Sequence, residues 1–168
     1  MKAIIYTSNT GSTAEYAQLL GKELNLPVHS LQQAKNKVPV GSEIIYLGWI
    51  MAGGIKGYKE AAKLYKVRAV CGVGMGQTGT QLKEVRDKNA IPQRIPLFTL
   101  QGNFDVKKLH GVYRFMMNVM VKTAGKGLAN KTDRTPEEDD MLDMMVNGGK
   151  RVSLQNLKAV TKWYKSVY

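Results

Sequence analysis

Cysteine is nearly absent from this sequence. Cys71 is the single one in 168 residues, which excludes an intrachain disulfide and a thiolate metal centre. Histidine is almost as scarce: His29 and His110 stand at no metal-binding spacing, so no metal site is expected. Acidic residues are also few, 13 against 25 Lys and Arg, leaving a formal net charge of +12. Such an excess suits an acidic protein or an anionic membrane surface, or serves solubility alone. Nucleic acid is disfavoured as the partner, because there is no zinc-finger spacing, no RNP-like aromatic motif and no basic low-complexity arm. No run approaches the roughly 18 apolar residues of a spanning helix, and the apolar stretch in "MKAIIYTSNT" is too short for a signal peptide. A cytoplasmic location is therefore expected, with peripheral contact to an anionic membrane as the variant that the charge allows.

What is present is an ordinary hydrophobic content of 43% in a chain long enough to bury roughly 70% of its unfolded surface. One domain over residues 1–168 is expected, since no linker or internal repeat divides it. Strand and helix signals alternate along the first two thirds. "KAIIYTS" reads as a strand, and Ala14, Ala17, Leu20 and Leu24 repeat at helical spacing before Asn25 and Pro27. "PVHSL" is a weak second strand, "EIIYLGWI" a strong third and "YKEAAKLYK" a short helix. "VRAVCGVGMG" is a fourth strand running into a Gly-rich loop, "TQLKEVRDKNA" a helix and "PLFTLQG" a fifth strand. Repeated βα units predict a parallel sheet with helices on both faces.

A helical segment, about 103–152, then precedes the last helix. In "DVKKLHGVYRFMMNVMVK" a polar stripe of Lys107, Gly111, Arg114, Asn118 and Lys122 opposes a broad Met-rich apolar face, the pattern of an amphipathic helix. "TPEEDDMLDMMV" carries its own start signals: Thr135 as N-cap, Pro136 at the first helical position, Glu138 closing a capping box, and acids at the positive end of the dipole. Gly148 and Gly149 end it, and Ser153 is the expected cap of the last helix.

The chemistry concentrates after the first strand. Ser8, Asn9, Thr10, Gly11, Ser12 and Thr13 stand where a helix begins, offering backbone N–H groups, hydroxyls and the positive end of a dipole to an anion. No Lys or Arg lies among them, which suits a phosphate that is held rather than transferred. The patterns G-x-x-x-x-G-K-[ST] and G-x-G-x-x-G are both missing, so NTP hydrolysis and NAD binding are not supported. A receiver domain lacks its acids here, and a C-x₅-R phosphatase fails because Gln77 follows Cys71 at the arginine position. Cys71 is expected to be a buried strand residue.

With Ile4, Ile5 and Tyr6 leading to Ser8, Gly11 and Thr13 and then to Ala17 and Leu20, the run resembles the flavodoxin signature. The resemblance covers about the first 100 residues and the final helix. It implies a flavodoxin-like α/β three-layer sandwich, a five-stranded parallel sheet in order 2-1-3-4-5, and FMN bound by its phosphate at the first loop. The isoalloxazine would then lie between Trp49, Ile50, Met51, Ala52 and Gly53 on one side and Gly72, Val73, Gly74, Met75 and Gly76 on the other. Two features depart from small acidic flavodoxins: the basic charge, and a second loop with no aromatic residue. Both are closer to the menaquinone-dependent protoporphyrinogen dehydrogenase branch, which "LQGNFDVKKLHGVYRFMMNVMVK" resembles in its Gly102, Asn103, Phe104, Asp105 run. That resemblance implies an FMN-dependent oxidoreductase passing electrons from a reduced organic substrate, such as protoporphyrinogen, to a quinone or another acceptor. The alternative is a non-catalytic one-electron carrier that docks acidic redox partners. No catalytic residue is identified by either reading.

Overall fold

In the computed structural model, which describes residues 1–103, 119, 122–123 and 125–168, the first apolar run forms a central strand, β1 (Ala3–Thr7). Ile4 and Ile5 alternate between the sheet's two faces, and both are fully buried, so both faces are covered. Parallel neighbours flank it: β2 (Val28–Ser30) on one side and β3 (Glu43–Met51) on the other. The sheet continues past β3 through β5 (Lys66–Gly74) and β6 (Leu97–Gln101), giving the order β2-β1-β3-β5-β6.

A two-residue strand that periodicity does not reveal, β4 (Gly54–Ile55), folds back antiparallel on the end of β3. It changes the expected five-strand numbering. The cause is local: Ala52 at φ 47° and Gly53 at φ 75° are consecutive left-handed residues, the backbone of a tight hairpin turn, and they pair Met51 with Gly54. The stretch read as a loop is thus a strand end and its turn.

Helix α1 (Ser12–Leu24) ends at Asn25, whose left-handed backbone closes the last turn as its position before Pro27 suggests. Next come α2 (Leu31–Lys37), α3 (Tyr58–Leu64), α4 (Leu82–Asn89), α5 (Pro136–Asn147) and α6 (Lys158–Val167). Tyr16, Ala17 and Leu20 of α1 and Val160 of α6 pack on the face made by Ile4, Ile45, Leu47, Ala69, Cys71 and Leu100. Leu31 and Ala34 of α2, Tyr58 and Ala61 of α3 and Val85 of α4 cover the opposite face with Ile5, Ile44, Tyr46 and Val70. Cys71 is fully buried, and burial pushes its thiol up to about 12, which removes it as a nucleophile at neutral pH.

Thr135, Pro136 and Glu138 start α5 as the capping box requires. The expected amphipathic helix over 105–122 lies outside the described residues, Val119 and Lys122 apart. Ser153 does not cap the last helix with its side chain; a 3₁₀ turn, Leu154–Leu157, comes first. Within that turn Asn156 Nδ2 donates to Tyr16 Oη at 2.7 Å and to the Arg151 carbonyl at 2.9 Å, so tertiary partners override the local cap. Among the described residues no helix is long and apolar enough to cross a membrane.

Candidate functional site

The parallel strands β1, β3, β5 and β6 all finish at one edge of the sheet, at Thr7, Met51, Gly74 and Gln101. From β1 the chain moves outward to β2, and from β3 it moves the other way to β5 and β6. The crevice between β1 and β3 is therefore a topological switch point, where open α/β sheets place their ligands. Residues 8–11 emerge at that point.

Gly11 occupies the N-cap of α1 at φ 106°, and no side chain caps the helix. The first-turn amides of Ser12, Thr13 and Ala14 are left for an outside acceptor. A β-carbon at Gly11 would find nothing within 4 Å, so the approach to those amides is open. Ser8 Oγ is buried and has no hydrogen-bond partner among the described residues, an arrangement that costs about 1–3 kcal/mol unless an outside group satisfies it. Thr13 is 2% exposed at the same helix start. Ser12 differs from expectation: its hydroxyl accepts from Asn103 N–H at 3.0 Å and donates to Asn103 O at 3.4 Å. It can offer a ligand its amide but not its side chain.

The ring-side residues divide. Trp49 pairs with Val73 across β3 and β5, and the alternation that puts Leu47 and Val73 on the α1 face puts Trp49 there too. Gly102 closes the same corner: a β-carbon on it would come within 2.9 Å of Val73 Cγ1 and 3.2 Å of Ser12 Cβ. Ser12, Val73 and Gly102 thus converge. Lys56 Nζ sits 5.7 Å from the centre of the Trp49 ring, which places a cation on this edge. Ile50 faces the other way and packs on Gly72 and Gly74, where added β-carbons would lie 2.8 and 3.4 Å from its Cδ1. Ala52 and Gly53 turn toward α4, held by Asn89, whose Nδ2 donates to Gly53 O at 2.8 Å and whose Oδ1 accepts from Ile55 N at 2.7 Å. Met51 pairs with Gly54 in the hairpin. Gly72, Val73 and Gly74 are strand residues of β5, and Met75 and Gly76 begin the loop beyond it. That loop is fixed to β6: Thr99 Oγ1 donates to Thr80 O at 2.7 Å, and Gln101 N donates to Thr78 Oγ1 at 3.0 Å.

No family model, curated protein or solved structure matches this chain.

Several polar residues at this edge carry no sequence signal, because their partners are distant along the chain. Tyr16 Oη donates to Gln101 O at 2.5 Å, and burial raises its pKa against the opposing effect of the Asn156 hydrogen bond. Gln101 Nε2 donates to Asp140 Oδ2 at 2.5 Å and lies 3.3 Å from Sδ of the fully buried Met144, which seats α5 on the end of β6. Arg151 in turn pairs with Asp140 at 3.1 Å and Asp143 at 3.2 Å. Two concavities lie elsewhere. One of about 840 Å³ runs from Ala52 along Leu82 and Lys88 of α4, and one of about 360 Å³ lies between Lys35, Glu60 and Tyr65 near the opposite edge; Ser8–Thr13 line neither.

Proposed function

We propose that this chain is an FMN-binding, flavodoxin-like oxidoreductase that moves electrons between a reduced organic substrate and a quinone or another acceptor. One observation carries the reading: an uncapped helix start at the switch point, with the buried, unpaired Ser8 hydroxyl beside it. A terminal phosphate supplies what that corner lacks, an acceptor for both the hydroxyl and the first-turn amides. With β4 set aside, the five parallel strands follow the flavodoxin order, which supports the same reading.

The residues present fit the group. Ser8, Thr10 and Thr13 would hold the phosphate with their hydroxyls, Ser12 and Thr13 with their amides, and Gly11 leaves the approach open. Trp49 on the α1 face and the Met75–Gly76 turn would border the ring. FMN, when bound, supplies one- and two-electron redox chemistry; the protein's part is to bind, orient and electrostatically bias it. Seating α5 on the end of β6 brings residues 136–152 to the same edge, where a substrate would approach.

The test is direct. The purified protein should show a flavin spectrum, with FMN released on denaturation, and porphyrinogen should bleach the flavin anaerobically while a quinone restores it. Absence of bound flavin together with unquenched fluorescence of added FMN would falsify the reading. Flavin that is bound yet indifferent to porphyrinogen would instead favour the carrier, whose observation is the +12 charge available to acidic redox partners.

A further inference from the structure

Asn103 stands where the chain leaves β6, and every polar atom it owns is committed. Its N–H donates to Ser12 Oγ at 3.0 Å, and its carbonyl accepts from that hydroxyl at 3.4 Å. Its Nδ2 donates to Glu15 Oε2 at 3.1 Å. Its Oδ1 accepts from the backbone N–H of Arg151 at 2.7 Å and of Val152 at 3.0 Å. One side chain therefore ties the first turn of α1 to the segment returning from α5. The connection extends outward, because Arg151 holds Asp140 and Asp143 of α5, and Asp140 holds Gln101.

We propose that Asn103 is a positioning residue that couples phosphate binding at the α1 start to docking of residues 136–152. The proposal rests on the FMN reading above. Ser12 directly follows Gly11, so the bonds that fix Ser12 also aim the amides that meet the phosphate. The same residue provides the acceptor for Arg151 N and Val152 N; displacing it would strand two backbone donors and loosen the return segment. A phosphate that orders Ser12 orders Asn103, and so favours the docked arrangement. By linkage, the docked arrangement raises affinity for the phosphate by the same factor.

The experiment uses the full chain, with FMN and riboflavin as probes. Amide exchange at Arg151 and Val152 is followed with each ligand, and both affinities are measured for wild type, Asn103→Ala, Asn103→Asp combined with Glu15→Gln, and Ser12→Ala. In wild type, FMN should slow exchange at both amides and riboflavin should do so far less. Asn103→Ala should weaken FMN roughly tenfold, the scale of one lost hydrogen-bonded contact, leave riboflavin unchanged and abolish the FMN-dependent protection. Asn103→Asp keeps the acceptor for both amides but sets a carboxylate against Glu15, so it is combined with Glu15→Gln, and the double variant should retain the protection. Ser12→Ala is the informative control: Ser12 touches neither Arg151 nor Val152, so reduced protection there reports transmission through Asn103. It also carries the test if Asn103→Ala does not fold. Wild type that binds FMN with no change at Arg151 and Val152, or Asn103→Ala that binds FMN as wild type does, overturns the coupling alone. Wild type that binds no FMN overturns the functional reading and the coupling with it.

Discussion

Ala90 closes α4 in the left-handed region at φ 51°, exposed to solvent, where an L side chain costs about 1–2 kcal/mol. Glycine takes that backbone freely and loses almost no packing here, while its extra unfolded-state freedom costs roughly 0.5–1 kcal/mol. Ala90→Gly should therefore stabilise the protein by about 0.5–1 kcal/mol, read as a higher urea midpoint with unchanged slope. At the proposed phosphate loop the expected change has the opposite sign and a different readout. Thr10→Val or Thr13→Val removes a hydroxyl from a charged acceptor, worth about 1.5–3 kcal/mol, so FMN should bind roughly tenfold to a hundredfold more weakly while riboflavin is nearly unaffected. Equal losses for both ligands would mean that the loop does not hold the phosphate. The placement of residues 8–13 where β1 gives way to the first turn of α1 could be read from sequence, because these six small residues are contiguous. Asn103 and Asn89 could not. Their partners lie 91 and 34 residues away, at Ser12 and Ile55, and nothing in local spacing announces that an exposed-looking amide will be a junction.

Helix α5 is the element whose start is written most plainly in sequence, and its stability should depend on pH through one of those start residues. The Lys131 ammonium, and after it the Thr135 backbone N–H, hold Glu138 below the usual glutamate range. A carboxylate whose folded pKa is depressed contributes stability that is fully present above its unfolded pKa. The contribution is lost as pH falls through the ordinary glutamate range and on through the folded value. The protection factors of the amides in the first turn of α5, taken relative to the intrinsic exchange rate at each pH, should fall over that interval, and Glu138→Gln should flatten the response. The strands of the core were legible for a related reason. "EIIYLGWI" and "VRAVCGVGMG" are long apolar runs, as strands buried on both faces must be. Helix α2 was not, although α3, also of seven residues, was: α2 starts at Leu31 directly after β2, inside the run "PVHSL" that reads as a strand, so its capping box of Ser30 and Gln33 is hidden there. β4 exists because of two backbone angles and has no period at all. The last helix was legible but its start was not, since Asn156 is drawn to Tyr16 from across the sheet edge.

Across the whole molecule, the charge of +12 should appear in the redox behaviour of a bound flavin. A positive field stabilises the anion formed on full reduction, so the second one-electron midpoint should be less negative than in an acidic flavodoxin. A tenfold change in that equilibrium corresponds to about 59 mV for one electron. Lys56, seated over Trp49, is the local contributor, and Lys56→Gln should lower the midpoint by an amount on the order of tens of millivolts. Raising ionic strength should lower it too, because exposed charges are screened. A strongly negative midpoint insensitive to salt and to Lys56→Gln would assign the positive charge to partner docking alone. The sheet's two faces also have different histories. The face under α2, α3 and α4 is closed by helices encoded between its own strands, so it can be sealed once residue 101 has been made. The other face needs Leu157 and Val160, and Tyr16 meets Asn156 across 140 residues of sequence. During synthesis, Ile45, Leu47, Ala69 and Cys71 must wait for the final stretch of chain before their covering is complete. A ribosome that stalls after residue 153 would release a sheet greasy on one side, the kind of intermediate that chaperones and proteases recognise first.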